Sequence, residues 1–185
     1  MKNPDNTRFY GDLASAVYVA PKGTTGPTDL DTPTGFEELG WLSEDGITFD
    51  RDEDVTVLRA YQGATVVRRK TNSVDDSFSF QCLEETATVL GLHYKGQEAE
   101  VTGSGDSAVA RINLTDQARQ DDRAFVVDVV DGNIVKRHVI PSGSVGTGSL
   151  TYANGEATVY EFTVSINGND AYILTNNPAI TGQDN

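Results

Sequence analysis

The amino-acid sequence predicts a mainly all-β protein, a β-sandwich or barrel with one short flanking α-helix, a long inter-strand loop and extended terminal arms. Short strand-like segments recur along the second half of the chain, and turn dipeptides such as Asp131-Gly132, Asn154-Gly155 and Asn167-Gly168 separate several of them. Only one short segment, after Glu85, has a helical pattern. A length of 185 residues fits one domain, 1–185. The predicted strands in this half cover roughly 99–102, 107–114, 123–130, 133–140, 157–166 and 171–175.

The first part of the chain is predicted to begin as an arm and then to enter the sheet. Residues 1–12 are polar, with Phe9 and Tyr10 as the only bulky side chains, so we expect them to be loose unless another chain holds them. Residues 13–20 alternate as a strand with Val17 and Val19 on one face. The Gly-, Pro-, Thr- and Asp-rich stretch 22–35 predicts a loop, and 35–41 predicts a single turn.

A long charged connection, residues 49–76, is the most unusual part of the sequence. Acidic residues open it, and the basic residues that follow have no acid between Arg59 and Lys70. Connections within compact domains usually run about 2–6 residues, so this stretch is too long for a compact hairpin. Because it is rich in β-branched residues as well as charge, we predict a loop that pairs with something outside its own domain.

The segments after this connection predict a strand followed by a helix. Phe78, Phe80 and Cys82 alternate with polar residues over 77–83, as a half-buried strand requires. Cys82 is therefore expected to be a small core residue. Acidic residues at 84 and 85 favour a helix N-terminus; Ala87 and Leu90 would share one face, and Gly91 would end the helix. The polar residues 175–185 predict a C-terminal arm.

Composition and charge exclude several classes of protein. No run approaches the roughly 20 apolar residues of a membrane helix, and the N-terminus lacks the apolar core of a secretory signal. A single cysteine excludes an internal disulfide and fits a reducing compartment. The net charge of −14 should repel nucleic acid. Residues 29–54 hold ten acidic residues and one basic residue, which predicts either a solvated acidic face or a surface with a partner.

The motifs that could carry chemistry do not form a site. Asp50, Asp52 and Asp54 imitate the start of a calcium loop, but Val55 lies where the turn needs glycine and Tyr61 where a bidentate glutamate belongs. His93 and His138 show no metal-ligand spacing with the cysteine. The sequence therefore predicts no catalytic residue, no metal and no cofactor, and the protein is not expected to be an enzyme.

The order and spacing of three motifs resemble the major tail tube proteins of long-tailed, siphovirus-type bacteriophages. The motifs are GWLSEDGITF, then LRAYQGATVVRRK, then FSFQCLEET, and the likeness extends over most of residues 36–166. The resembling positions are Gly40, Trp41, Glu44, Asp45, Gly46, Tyr61, Gln62, Gly63, Phe78, Phe80, Glu85 and Thr86.

This resemblance implies a structural virion protein. Members of that family form rings, usually hexameric, which stack into a hollow tail tube that delivers DNA into the host. The implied partners are further copies of the chain and other tail proteins (tape measure, tail terminator and distal tail protein), with no membrane and with DNA passing through without specific binding. The expected location is the phage tail, after synthesis in the host cytoplasm.

The resemblance also assigns candidate residues. The connection 49–76 would be the stacking loop that reaches the adjacent ring. Its candidate contacts between subunits or rings are Asp50, Asp52, Asp54, Arg59, Tyr61, Gln62, Arg68, Arg69 and Lys70. An acidic lumen would suit DNA passage, since like charge keeps phosphates from the wall. The candidate lumen residues are Glu98, Glu100 and Asp128.

Two alternatives share the predicted fold. One is a tube protein of a contractile particle or secretion system, which the sequence separates poorly from a phage tail tube. The other is a non-catalytic β-sandwich binding module. Such a module would expose clustered aromatic residues, and Trp41 is the only tryptophan.

Overall fold

The computed structural model describes residues 4–97, 99–114 and 119–182 of the chain. Strands dominate these residues, which confirms the all-β prediction, and neither of the two helices is long and apolar enough to cross a membrane. In chain order the elements are β1 (Ala16–Pro21), β2 (Glu37–Glu38), β3 (Thr48–Arg59), β4 (Val66–Cys82), α1 (Ala87–His93), β5 (Glu100–Thr102), β6 (Val109–Arg111), β7 (Asp122–Asp131), β8 (Ile134–Thr147), β9 (Tyr160–Ile166), β10 (Tyr172–Thr175) and α2 (Pro178–Thr181).

One antiparallel sheet contains every described strand except the small β5–β6 pair. Its order is β2-β1-β7-β8-β9-β4-β3, and β10 adds to β8. The predicted hairpin at Asp131-Gly132 joins β7 to β8, with Gly132 at a φ of 57° that an L-residue rarely adopts. The long strand β8 has three neighbours. It pairs with β7 along one edge, while along the other edge residues 136–139 pair with β10 and residues 143–147 pair with β9.

Residues 37–42 link β1, at one side of the sheet, to the end of β4 at the other side. The Leu39 amide donates to the Val17 carbonyl on β1 at 2.9 Å, and the Leu83 amide donates to the Trp41 carbonyl beyond β4 at 2.9 Å. The predicted single turn over 35–41 is therefore wrong, because Glu37 and Glu38 form strand β2 on β1 and Leu42 bridges to Cys82 of β4. The sheet is consequently barrel-like.

The inward-facing side chains form one hydrophobic core. Val17 and Val19 lie in it, as do alternate residues of β4, and Cys82 is fully buried, as predicted. Burial raises the pKa of the Cys82 thiol to about 12, so it remains a protonated packing residue. The other core positions are Leu39, Phe78, Phe80, Val89, Leu92, Phe125, Val127, Ile140, Val145, Tyr160, Phe162 and Val164.

Helix α1 closes one side of this core, with two differences from the prediction. Thr86 is the N-cap, and its hydroxyl accepts a hydrogen bond from the Val89 amide at 3.2 Å. The helix continues past Gly91 to His93, and Val89 and Leu92, not Ala87, are its fully buried residues. Glycine weakens a helix by only about 1 kcal/mol, so the packing of Leu92 carries the helix one turn further than the sequence pattern indicated.

The outer face of β1, β7 and β8 is covered by a second layer of chain. The predicted loop 22–35 crosses it, and the Tyr172 hydroxyl holds that loop by donating to the Pro27 carbonyl at 2.8 Å. The two terminal segments contact each other, since Arg8 donates to the Asn177 side chain and Asn177 caps α2. The predicted C-terminal arm is thus fastened to the domain through its first half.

Candidate assembly surface

The charged connection predicted as a loop over 49–76 is a β-hairpin. Strands β3 and β4 pair from Thr48 and Ser79 at the root to Arg59 and Val66 at the far end, so the loop proper spans only 60–65. The length of the connection argued for irregular chain, but its alternating β-branched residues pair with one another instead. Only residues 77–82 of β4 also pair with β9, so the rest of the hairpin has no third strand among the described residues.

This hairpin projects as an exposed ribbon. Strand β3 has 12 residues, a length of about 35 Å at roughly 3.3 Å per residue. Nearly every position from Asp50 to Asp75 is exposed on both faces. A two-stranded ribbon is marginally stable in water by itself, because neither face is buried. Both faces of the hairpin beyond its root are therefore open to solvent.

Aromatic stacking and one ion pair hold the root of the hairpin. Phe49 stacks on His138 with ring centroids 4.1 Å apart and on Phe78 at 5.4 Å. Just beyond, Arg51 donates two hydrogen bonds to the Asp76 carboxylate at 2.7 and 2.8 Å, which raise the pKa of Arg51 and lower that of Asp76. Burial lowers the pKa of His138 to about 4, so its ring is neutral near pH 7. These contacts orient the ribbon relative to the barrel.

The predicted acidic contact residues share one face of the hairpin near its root. Asp50, Asp52 and Asp54 alternate along β3, and Asp75 lies opposite Asp52 on β4. All of them are exposed. A bulge at Asn72 interrupts the ladder, and the Asn72 amide donates to the side chains of Asp54 at 3.0 Å and Thr56 at 2.6 Å.

The predicted basic contact residues lie at the other end of the same hairpin, and we call residues 58–70 the tip. Arg68 and Lys70 pair with Leu58 and Thr56, on the same face as the root acids, and Arg69 projects from the opposite face. In the part of the chain that the structure describes, none of the four tip cations (Arg59, Arg68, Arg69 and Lys70) forms an ion pair. The positively charged tip and the negatively charged root therefore lie at opposite ends of one ribbon.

The turn at the end of the tip presents an aromatic side chain to solvent. Tyr61 is 99% exposed, and Gln62 beside it begins a short 3-10 turn. Gly63 and Ala64 have φ values of 65° and 53°, and the Arg59 guanidinium donates to the Ala64 carbonyl at 3.1 Å. Left-handed backbone is unusual for alanine, so the turn is held in a defined shape by its own contacts.

The candidate lumen residues differ in their exposure to solvent. Glu98 lies outside the described residues. Glu100 is exposed on the short strand β5, opposite Arg111 of β6. Asp128 is 5% exposed and forms a bidentate ion pair with Arg137, with distances of 2.7 and 2.6 Å, so its assignment as a lumen residue is wrong. Its apolar neighbours Val127 and Val129 indicated burial, and the pairing cation nine residues later was the signal that sequence reasoning missed.

Arg137 connects this ion pair to the covering loop. It is 2% exposed, and its remaining guanidinium nitrogen donates to the carbonyls of Asp29 and Asp31 at 2.9 and 2.7 Å. The hydrogen bond to Asp128 raises the pKa of Arg137, which stays charged. This contact has a structural role, since it fastens the loop 22–35 to β7 and β8 and presents no open site.

The described residues contain no group of three or more His, Cys, Asp or Glu side chains that could hold a metal ion.

A family profile described as "Phage tail tube protein" matches residues 3–174. No curated protein matches the sequence.

Solved structures give weaker likenesses. A chain in the virion of a native gene transfer agent particle is 12% identical, with 94% of this chain and 99% of that chain covered and a TM-score of 0.42. A chain in the tail of an empty gene transfer agent particle, refined with C6 symmetry, has the same identity and coverage and a TM-score of 0.43. A chain in the extended sheath–tube complex of an extracellular contractile injection system is 8% identical, with 95% and 98% covered and a TM-score of 0.32.

Proposed function

Because the chain belongs to the phage tail tube protein family, we propose that it polymerises as stacked rings into the hollow tube of a phage tail and so forms the conduit for DNA delivery. Its role as a tail tube protein is structural, in a virion particle. The proposed rings are hexamers of this chain in a non-contractile, siphovirus-type tail.

The projecting hairpin is the observation that carries this proposal. An exposed ribbon of about 35 Å with separated charge is costly to keep in a monomer, because it buries little apolar area and orders many residues. In an assembly, the same ribbon gains a partner surface in every copy. We therefore assign ring-to-ring contact to the hairpin, with Asp50, Asp52 and Asp54 at its root and the cations at its tip.

Charge balance supports an open channel in the assembly. The chain has 28 acidic and 14 basic residues, so many carboxylates cannot find a cation in an interface. Burying a charge without a partner is strongly unfavourable, and the excess must face water. We propose that part of it, with Glu100 as the exposed candidate, lines a lumen through which DNA passes without sticking.

The remaining features of the proposal follow from a structural role. The subunit needs no cofactor and performs no catalysis. It is made in the host cytoplasm, and its partners besides itself are the tape measure, tail terminator and distal tail proteins at the interior and ends of the tube.

Reversal of charge at the tip tests the proposal. Arg68→Glu with Arg69→Glu should abolish tubes seen by negative-stain microscopy while circular dichroism of the subunit stays unchanged. Each exposed ion pair contributes only about 0–1 kcal/mol, but a closed ring repeats the change in every subunit. Normal tubes from this double variant would contradict the assignment of contact to the hairpin.

A matched control changes net charge equally elsewhere. Arg111 and Arg119 are exposed outside the hairpin, and Arg111→Glu with Arg119→Glu also lowers the net charge by four. This control should still form tubes. Loss of tubes in both double variants would show that total charge, and not the tip, limits assembly.

A further inference from the structure

A groove on the barrel lies next to the root of the hairpin. Its volume is about 760 Å³, and its walls are the N-terminal residues 10–15 and the turn 40–47. Large apolar side chains stand open to solvent at its rim, with Leu13 87% and Trp41 63% exposed. Exposed apolar side chains of this size, clustered at a concave surface, mark contact sites.

The groove is also strongly acidic. Five of its lining residues are carboxylates, and no Lys or Arg is among the described residues that line it. Gly40 has a φ of 79° and leaves room for the Glu84 carboxylate, which accepts a hydrogen bond from the Trp41 amide at 2.9 Å. The acidic lining residues are Asp12, Glu38, Glu44, Asp45 and Glu84.

The tip of the hairpin has the complementary character. It carries four cations, and the sequence has no acid between Asp54 and Asp75. Leu58, Tyr61 and Val67 are exposed on it, so it offers apolar contacts together with positive charge. An acidic groove with an apolar rim fits such a segment in both charge and hydrophobicity.

The tip that occupies the groove must come from a second copy of the chain. The groove wall ends at Ile47, and β3 begins at Thr48, so the groove and the tip lie at opposite ends of one ribbon about 35 Å long. Pairing along β3 and β4 keeps the ribbon extended and prevents it from folding back. Contact between the tip of one copy and the root of the next joins two different surfaces, and such a heterologous contact can propagate without end.

We propose that this groove, between residues 10–15 and 40–47, is the acceptor for the hairpin tip of the next copy of the chain. The inference rests on the proposed function, since it names the surface that the stacking hairpin meets. It also explains why the acids of residues 37–45 need no cation within their own subunit.

A charge exchange tests the inference. Glu38 and Glu44 are exposed and line the groove, and neither side chain forms a hydrogen bond within the described part of the chain. Glu38→Lys with Glu44→Lys should raise the concentration needed for polymerisation at least about tenfold, because repulsion between groove and tip replaces attraction. The chain that combines the groove reversal with Arg68→Glu and Arg69→Glu should regain polymerisation at near wild-type concentration.

The outcomes separate this inference from the proposed function. If the groove variant polymerises normally, the groove is not the acceptor and the tube assignment stands. The same conclusion follows if the combined variant does not polymerise although circular dichroism shows that the groove variant and the tip variant are each folded. If the wild-type chain forms no tubes, the proposed function itself fails.

Disulfide trapping gives an independent readout. Cys82 is fully buried, so engineered surface cysteines should report without interference from it. Leu13→Cys with Tyr61→Cys should give a ladder of cross-linked subunits in oxidised tubes. A matched pair, Tyr152→Cys with Tyr61→Cys, places the first cysteine on an exposed residue outside the groove and should give none. Equal ladders from both pairs, or none from the first, would overturn the inference.

Discussion

Replacement of Asp128 by alanine should strongly destabilise the subunit, since the structure places this carboxylate in a buried ion pair. Its two oxygens lie 2.7 and 2.6 Å from Arg137, and the side chains are 7% and 2% exposed. Removal of the carboxylate leaves the guanidinium buried with only the carbonyls of Asp29 and Asp31 as acceptors. Breaking a buried pair in this way costs about 3–5 kcal/mol.

That cost is a large part of the total stability of a domain, which is about 5–15 kcal/mol. The assay is urea unfolding of the dilute, unassembled subunit, followed by circular dichroism, with Glu100→Ala as the control. Glu100 is exposed, so its replacement should change the free energy of unfolding by less than about 0.5 kcal/mol. If Asp128→Ala cost as little as the control, Asp128 would be a solvated acid and the reasoning about the ion pair would be refuted.

Two further predictions concern the hairpin and its root. Hydrogen exchange of the backbone amides of residues 50–72 should be faster in the unassembled subunit than that of 123–130 and 133–140, because no third described strand pairs with the ribbon. The same amides should become protected in tubes. Equal protection of the three segments in the subunit would contradict this. The depressed pKa of His138, about 4 against an ordinary 6.5, means that the unfolded chain binds a proton first as pH falls. The contribution of neutral His138 to the free energy of unfolding should thus be complete above pH 6.5 and lost as pH falls from about 6.5 to 4. His138→Phe should make the free energy of unfolding less dependent on pH over this range. An unchanged pH dependence in this variant would contradict the prediction.

The strands of the second half could be predicted from the sequence because their signals are local. Two segments rich in β-branched residues, 123–130 and 133–140, are joined by Asp131-Gly132 and specify a hairpin before any tertiary contact is known. The same holds for Cys82, which follows Phe78 and Phe80 at alternate positions of the strand. The family resemblance likewise depended on motifs that are contiguous in the chain.

The sequence does not predict the hairpin at 48–82, because the length of this connection is typical of a loop although its residue types favour strands. Val55, Val57, Val66 and Val67 favour strands, but the high charge of the segment suggested irregular chain. Charge is compatible with a ribbon that exposes both faces, since no position has to be apolar.

Contacts between distant segments could not be read from the sequence. Asp128 is buried because it pairs with Arg137 on the neighbouring strand. Arg137 is held in turn by the loop carbonyls of Asp29 and Asp31, more than 100 residues away in the chain. The acidic groove depends in the same way on residues 10–15 packing beside 40–47. Local periodicity carries no information on such pairings.

Negative-stain microscopy of the purified wild-type protein at rising concentration shows whether the exposed hairpin makes this chain the subunit of a stacked tube. If it does, rings and then hollow tubes should appear as concentration increases. A persistent monomer at all concentrations, with the hairpin intact by hydrogen exchange, would contradict it.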